Sequence, residues 1–159
     1  MIRVRRLRVY LAAPFFSEAE REFNSRLLHE LECHWDVFYP YRDGIRMAEL
    51  IAEGVDLVTA AKRVWLCDAD RVRDSDVILA VLDGRVPDEG VCVELGLASG
   101  MGKFVVGLYT DARSCFPWGA NPMITGCLAS RCESVQSVVA TLQRYSQASA
   151  APQDVASDE

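Results

Sequence analysis

Apolar residues along the chain fall into short continuous runs that alternate with longer segments of helical spacing. The four clearest runs are residues 7–13, 36–39, 77–82 and 104–109. The third run is rich in β-branched residues, which is typical of a central strand in a parallel sheet covered on both faces. Because strand and helix alternate, the pattern predicts an α/β fold: a single-domain, doubly wound, mainly parallel five-stranded sheet, flavodoxin/Rossmann-like, with flavodoxin-like strand order.

Helices are expected in the segments between these runs. Ser17 followed by Glu20 matches a capping box, so a helix should begin there. Further predicted elements are one or two helices within 45–73, a helix over about 88–101, a loop with a short edge strand within 110–130, and a helix over 134–145. Residues 1–145 are expected to form the domain, and the polar residues 146–159 to be a disordered tail.

Composition and charge narrow the class of protein. The chain has 159 residues, a net charge of −6 and a pI near 5.0, which argues against a nucleic-acid partner. The arginines near the amino terminus are not followed by a long apolar segment, so we reject a signal peptide. No apolar run reaches membrane-spanning length. We therefore expect a cytoplasmic protein with no membrane partner.

The cysteines and histidines give little basis for a metal site. The chain has six cysteines and two histidines, with no C-x-x-C pair, so we expect no zinc site. Most of the cysteines lie within apolar segments of a core-rich chain. That setting favours reduced, buried thiols over three disulfides.

The segment from Asp76 to Glu94 carries the strongest functional signal. It joins the most apolar strand to a Gly/Pro loop and then to the start of a helix. Open parallel sheets bind ligands at the carboxyl ends of their strands, and carboxylates gathered there suggest acid/base or covalent chemistry on a sugar-like substrate. The helix amino terminus is expected to help hold Glu94 ionised, as attack on a sugar carbon requires.

Each of these residues also has a purely structural interpretation. Glu94 could be a solvated residue on a helix face, Asp76 a turn residue, and Asp88 only a helix N-cap. Tyr10 lies in the first strand, either as an ordinary core tyrosine or as a hydroxyl that orients Glu94. Asn121 is by itself a turn residue. From the residues alone, both interpretations stay open.

Three segments together resemble the nucleoside 2-deoxyribosyltransferase family. Residues 87–98, Pro-Asp-Glu-Gly-Val-Cys-Val-Glu-Leu-Gly-Leu-Ala, are close to the family's signature. Residues 10–16, Tyr-Leu-Ala-Ala-Pro-Phe-Phe, resemble its first strand and aromatic loop, and Asn121-Pro-Met123 resembles its Asn-Leu-Met element. The similarity runs from about residue 8 to residue 123. The superfamily also contains nucleoside 5′-monophosphate N-glycosidases.

The resemblance implies a role for each matching residue. Glu94 corresponds to the nucleophile that attacks C1′ and forms a covalent deoxyribosyl intermediate. Asp76 corresponds to the carboxyl that handles the proton of the departing and arriving base, and Tyr10 to the tyrosine that positions the nucleophile. Substrate-binding roles fall on Asp88, Gly90, Asn121, Phe15 and Phe16, the two phenylalanines packing on the base. The family's asparagine often completes a neighbouring subunit's site. The implied chemistry needs no metal and no cofactor.

The function that the resemblance implies is transfer of 2-deoxyribose between nucleobases with retention at C1′, in nucleotide salvage. The partners would be a deoxynucleoside, a free purine or pyrimidine base, and further copies of the chain in a homo-oligomer with shared active sites. The alternative is an N-glycosidase that gives the sugar of a nucleoside or its 5′-monophosphate to water. Residues 12–16, Ala-Ala-Pro-Phe-Phe, replace the phosphate loop of such hydrolases and favour an unphosphorylated nucleoside. A catalytically silent nucleotide-binding module is a third possibility.

Overall fold

The computed structural model describes residues 5–113, 116 and 119–150, and its centre is a five-stranded parallel sheet. The strands are β1 (Arg8–Ala12), β2 (Asp36–Phe38), β3 (Val77–Val81), β4 (Phe104–Leu108) and β5 (Ser130–Cys132). Their order across the sheet is β2-β1-β3-β4-β5, with every pair parallel. The predicted α/β fold and its flavodoxin-like strand order are therefore confirmed.

Seven helices are present in the described part of the chain. They are α1 (Glu18–Glu32), α2 (Pro40–Asp43), α3 (Met47–Ala52), α4 (Leu57–Asp74), α5 (Glu89–Gly100), α6 (Pro122–Thr125) and α7 (Val135–Ala150). The capping box of α1 is confirmed, because the Ser17 hydroxyl accepts from the Glu20 amide while the Glu20 carboxylate accepts from the Ser17 amide. The segment 45–73 contains α3 and most of α4, as expected. Helices α2 and α6 were not predicted, since each has only four residues. No helix among these is long and apolar enough to cross a membrane.

The sheet is covered on both faces, and β1 shows which side chain goes to which face. Val9 and Leu11 pack in one cluster with Leu31 of α1 and Leu142 of α7. Tyr10 belongs to the opposite cluster, which includes residues of α4 and α5. Because successive strand residues alternate between faces, this register sends the Tyr10 side chain towards α5.

Helix α5 begins directly after the loop that follows β3. Gly84 in this loop has a φ of +96°, a conformation that favours glycine. Asp88 then caps the helix, since its Oδ1 accepts from the Val91 amide at 3.0 Å. The chain therefore turns back from the carboxyl end of β3, and α5 lies against β1, β3 and β4.

The carboxyl-terminal helix is longer than the sequence pattern predicts. Helix α7 continues to Ala150, so the expected disorder of residues 146–150 is wrong, and residues 151–159 lie outside the described part of the chain. The Tyr145 ring stacks on Phe104 with the ring centroids 4.1 Å apart. This contact attaches the last turns of α7 to the edge of β4, and alanine and glutamine there favour helix once the anchor is present.

We expect Tyr145→Ala to lower the free energy of unfolding by about 1–3 kcal/mol, because it removes a stacked aromatic pair and its buried area. Tyr145→Phe keeps the ring and is the matched control. Urea unfolding of the three proteins measures the difference. Equal stability of the alanine variant and the parent would contradict the anchoring role of Tyr145.

Candidate active site

The centre of the candidate site is a hydrogen bond between β1 and α5. The Tyr10 hydroxyl donates to Glu94 Oε1 at 2.5 Å. Tyr10 is fully buried in the sheet, and Glu94 is partly buried above it. Burial, and then the neighbouring Glu94 charge, raise the pKa of Tyr10, so the hydroxyl keeps its proton and remains a donor. The arrangement fixes one carboxylate oxygen of Glu94, and the other makes no hydrogen bond with a described residue.

The surroundings of Glu94 make it harder to ionise than an ordinary glutamate. Burial is the largest cause and raises the pKa of Glu94 to about 7, against the lowering effect of the bond from Tyr10 and with smaller raising effects from Asp68 and Asp88. Burial therefore outweighs the effects that favour the ionised form, and the expected help from the helix amino terminus stays a prediction. Glu94 lies five residues after the first residue of α5, and the dipole effect falls off within the first turn.

The structure places Asp76 away from this pair. Asp76 directly precedes β3, at the amino edge of the sheet, where its carboxylate accepts from the Arg8 amide at 2.8 Å and pairs with Arg5 at 2.5 Å. The carboxylates whose charges act on the pKa of Glu94 are Asp68 and Asp88. The prediction that Asp76 lies beside the nucleophile is thus contradicted by the parallel topology, because the residue before a strand and the loop after it lie at opposite edges of the sheet.

The carboxyl that the sequence reasoning missed is Asp68 of α4. Its charge acts on both Glu94 and Tyr10, and burial raises its own pKa to about 6. Asp68 Oδ1 is buried and has no hydrogen-bond partner among the described residues. A buried polar atom without a partner is rare in a folded protein and marks a place where a ligand can bind. Asp68 therefore has the position that was expected of Asp76.

A signal for Asp68 exists in the helical periodicity of α4. Val64, Asp68 and Val72 are spaced at four-residue intervals, so they share one face of the helix. Val72 is fully buried on that face, whereas Asp70 and Asp74 lie on the exposed side. A carboxylate in the apolar stripe of a helix is unusual, and this is the pattern that could have identified Asp68.

Asp88 combines a structural role with proximity to the site. Its Oδ1 caps α5 through the Val91 amide, and its charge acts on Glu94. Gly90 stands next to this cap, where a Cβ would lie 3.1 Å from Asp88 Oδ1. Gly90 thus leaves room for the capping carboxylate, and its expected contact with substrate stays a prediction.

The loop after β1 presents an aromatic surface. Phe15 stacks on Phe16 at 4.8 Å between centroids and lies 5.2 Å from the Tyr41 ring. Phe16 is 71% exposed, so one face of this cluster is open to a flat ligand. Arg21 fixes the loop, since its guanidinium donates to the carbonyl oxygens of Phe15 and Phe16, each at 3.0 Å.

Asn121 is not brought together with Glu94 within one chain. Its Oδ1 accepts from the Met123 amide at 2.9 Å and caps α6, which follows the loop after β4. Asn121 lines a separate cavity of about 700 Å³, to which Tyr10, Asp68 and Glu94 do not contribute. Among the described residues no group of three His, Cys, Asp or Glu side chains is arranged to hold a metal ion.

Comparison with known proteins identifies the family. The family model for nucleoside 2-deoxyribosyltransferase matches residues 9–139, well over half of the chain. The chain belongs to the nucleoside 2-deoxyribosyltransferase family. The matched range covers every residue of the site described above. No curated protein matches the chain by sequence.

Solved structures share the fold of this family member. A conserved protein from Enterococcus faecalis V583 is 23% identical, with a TM-score of 0.71, 88% of this chain and 99% of that chain being covered. The 2-deoxyribosyltransferase of Bacillus psychrosaccharolyticus is 23% identical, with a TM-score of 0.65 and coverage of 82% and 89%. The CMP N-glycosidase of Clostridium botulinum is 19% identical, with a TM-score of 0.54 and coverage of 86% and 98%.

The raised pKa of Glu94 makes the stability of the protein depend on pH. Folding raises this pKa from 4.5 to about 7, so the folded state holds a proton that the unfolded chain releases. The free energy of unfolding should therefore fall as the pH rises from about 4.5 to about 7. We expect Glu94→Gln to remove this part of the dependence, so that the variant gains thermal stability over the parent near pH 8 but not near pH 4.5.

Thermal unfolding of the parent and Glu94→Gln at both pH values measures this effect. Glu22→Gln, at an exposed position on α1, is the control and should show no such difference between the two conditions. The same change in unfolding temperature at both pH values for Glu94→Gln would contradict the raised pKa.

Proposed function

We propose that this protein transfers 2-deoxyribose between nucleobases through a covalent deoxyribosyl-Glu94 intermediate. The observation that carries the proposal is the paired carboxyl site, in which Tyr10 holds Glu94 at 2.5 Å and Asp68 stands nearby with an unpartnered oxygen. Its membership of the nucleoside 2-deoxyribosyltransferase family supports the same chemistry. The work that the site must do is to break one N-glycosidic bond and form another.

The two carboxyl groups account for both displacements. In the first, a Glu94 oxygen attacks C1′, the bond from C1′ to the base nitrogen breaks, and Asp68 supplies the proton that the departing base takes up. In the second, the incoming base nitrogen attacks C1′, the ester to Glu94 breaks, and the proton of that base goes to Asp68. Each displacement inverts C1′, so the pair retains its configuration.

The proton affinities of the two carboxyl groups place most of a shared proton on Glu94. The pKa of Glu94 is raised to about 7 and that of Asp68 to about 6, both by burial first. Neighbouring carboxyl groups titrate as a coupled pair, so near neutral pH they share roughly one proton. The productive state has Glu94 ionised and Asp68 protonated, so the shared proton has to move from Glu94 to Asp68 before Glu94 attacks C1′.

The remaining contacts are assigned from the surface around the pair. Phe15 and Phe16 pack on the base, whose ring would cover the exposed face of Phe16. Asp88 binds a sugar hydroxyl through its second oxygen. Asn121 serves the site of a neighbouring subunit, in a homo-oligomer whose formation would also cover the exposed Trp65 on α4.

Hydrolysis is the second candidate, since the Clostridium botulinum CMP N-glycosidase has a similar fold. Water would then replace the incoming base in the second displacement. A 5′-phosphate would meet a carboxylate at the start of α1, because Glu20 accepts from the Ser17 amide at 2.7 Å and Glu18 is also in the first turn. A helix amino terminus that already bears carboxylates disfavours a further anion. The proposed substrate is therefore the unphosphorylated nucleoside.

Chromatography of products from deoxyinosine, with and without adenine, tests the proposal. We expect deoxyadenosine to form only when adenine is present, at a rate that exceeds release of free deoxyribose, and we expect little reaction with the 5′-monophosphate of deoxyinosine. Hypoxanthine and deoxyribose released equally fast without adenine would replace the transferase by a hydrolase. Glu94→Ala should be folded and inactive in either case.

The roles of Asp68 and Asp76 can be separated by matched variants. We expect Asp68→Asn to lower kcat by about 10²–10⁴-fold, the range for loss of a general acid, with a much smaller change in KM. Asp76→Asn removes the same charge eight residues away and should leave kcat within a few-fold of the parent. Thermal unfolding checks that both variants are folded. A large loss of kcat in Asp76→Asn alone would restore Asp76 and remove Asp68 from the mechanism.

A further inference from the structure

Three consecutive backbone carbonyl oxygens of the loop after β1 accept hydrogen bonds from side chains of α1. The Asn24 amide nitrogen donates to the Pro14 carbonyl oxygen at 2.7 Å. The Arg21 guanidinium donates to the next two carbonyl oxygens, each at 3.0 Å. Asn24 and Arg21 are three residues apart, so they lie on the same face of the helix. Because the loop belongs to neither a strand nor a helix, these side chains replace the partners that regular structure would provide.

Asn24 also reaches the end of the second strand. The same amide nitrogen donates to the Tyr39 hydroxyl at 2.8 Å, and Tyr39 directly follows β2. A side-chain amide has two N–H groups, and both are used here. Pro14 fixes the orientation of the amide, since a carbonyl oxygen only accepts and the atom that faces it must be nitrogen. One side chain therefore joins the loops at the carboxyl ends of β1 and β2.

The position of Asn24 in the interior makes these bonds hard to replace. Asn24 is 1% exposed and Tyr39 is 4% exposed, and the bond between them is buried. Water has little access to this bond, so loss of the Asn24 amide leaves the Tyr39 hydroxyl without its donor. Arg21 is more accessible, and water can take its place at the carbonyl oxygens. Asn24 is thus the stronger of the two constraints on the loop.

The rings on either side of this junction form the aromatic surface of the site, which consists of Phe15, Phe16 and Tyr41. Phe15 directly follows Pro14 in the chain. The Tyr39 ring meets the Phe15 ring edge-on, with the centroids 6.4 Å apart, and lies 5.9 Å from the Tyr41 ring. The hydrogen bonds of Asn24 therefore fix both the loop that carries Phe15 and the ring on which it packs.

Rings that are already in place favour the binding of a flat ligand. A chain segment that has to be ordered by its ligand takes up part of the binding free energy, whereas a preformed segment does not. Asn24 itself hydrogen-bonds to the loop and to Tyr39, and Glu94 and Asp68 lie outside this network. Its contribution should therefore appear in binding and be absent from the steps at C1′.

We propose that Asn24 is a positioning residue for the nucleobase: its two hydrogen bonds keep the aromatic surface preformed, so that Asn24 sets the affinity for the base and not the rate of bond breaking. The identity of the ligand as a nucleobase rests on the proposed function. Adenine alone is the probe, since it carries the flat ring and lacks the sugar on which Glu94 acts.

Equilibrium dialysis of the full chain with adenine measures the binding step without turnover. We expect Asn24→Leu, which has a similar volume and no N–H group, to weaken adenine binding about tenfold. Tyr39→Phe keeps the ring and loses one of the two bonds, so it should weaken binding a few-fold. Arg26→Met, at an exposed position on α1, is the matched control and should bind adenine as the parent does.

Two results of the dialysis would overturn the proposal. One is the absence of adenine binding to the parent, and the other is unchanged affinity in Asn24→Leu and Tyr39→Phe. Should Asn24→Leu not fold, as thermal unfolding would show, unchanged affinity in Tyr39→Phe decides alone.

Steady-state kinetics distinguish positioning from a purely structural role. We expect Asn24→Leu to raise KM for deoxyinosine and for adenine about tenfold and to keep kcat within about threefold of the parent. A residue that only stabilises the fold would lower the unfolding temperature and leave both KM values unchanged at temperatures where the variant is folded. That outcome, or a loss of kcat with unchanged KM, would refute the positioning role.

This inference and the proposed function fail in different assays. Weaker adenine binding in Asn24→Leu, together with no transfer by the parent, would refute the transferase and leave the positioning role intact. Transfer by the parent, together with equal adenine affinity in the variants, would refute the positioning role and leave the transferase intact.

Discussion

The burial of Glu94 against Tyr10 is the constraint on which the site depends. An isolated carboxylate above an apolar sheet would lose its hydration, and burial alone raises its pKa towards neutrality. The hydroxyl at 2.5 Å acts in the opposite direction and keeps the ionised form accessible. The bond also joins the central strand β1 to α5, so the orientation of the carboxylate follows from the packing of the sheet. A glutamate on a mobile loop would have neither property.

Two aspartates are candidates for the carboxyl that exchanges a proton with the base, and their positions in the fold distinguish them. Asp68 and Asp76 are eight residues apart, and both precede the same apolar strand. Asp68 lies on the inner face of α4, where it forms no ion pair with a described residue and burial raises its pKa to about 6. Asp76 lies at the strand entrance, bound to Arg5 and to the Arg8 amide. The ion pair and the hydrogen bond give the Asp76 carboxylate a structural role at the amino edge of the sheet.

The sequence predicted the fold well and the site only in part, for physical reasons. Strand order and the buried β3 follow from apolar runs and their alternation with helices, which are local patterns. The contact between Tyr10 and Glu94 was left open by the residues and implied only by the family resemblance, and the structure brings the two side chains to one face of the sheet. Asp68 was missed because its burial depends on how α4 packs, which sequence spacing only suggests. The end of α7 was misjudged because a single long-range stack, Tyr145 on Phe104, extends the helix into a polar segment.

Transfer rather than hydrolysis places a particular demand on the aromatic loop. When the first base leaves, the deoxyribosyl ester must survive until a second base arrives, so water has to compete poorly for C1′. An aromatic surface such as Phe16, which is 71% exposed, gains more from covering by a second base than from contact with water. The Arg21 guanidinium donates to two backbone carbonyl oxygens of that loop. The aromatic surface therefore keeps its position after the first base leaves and before the second base binds. In the proposed reaction the same surface serves both bases, because every base has a flat face that can stack on an aromatic ring, and Asp68 exchanges a proton with the base in both half-reactions.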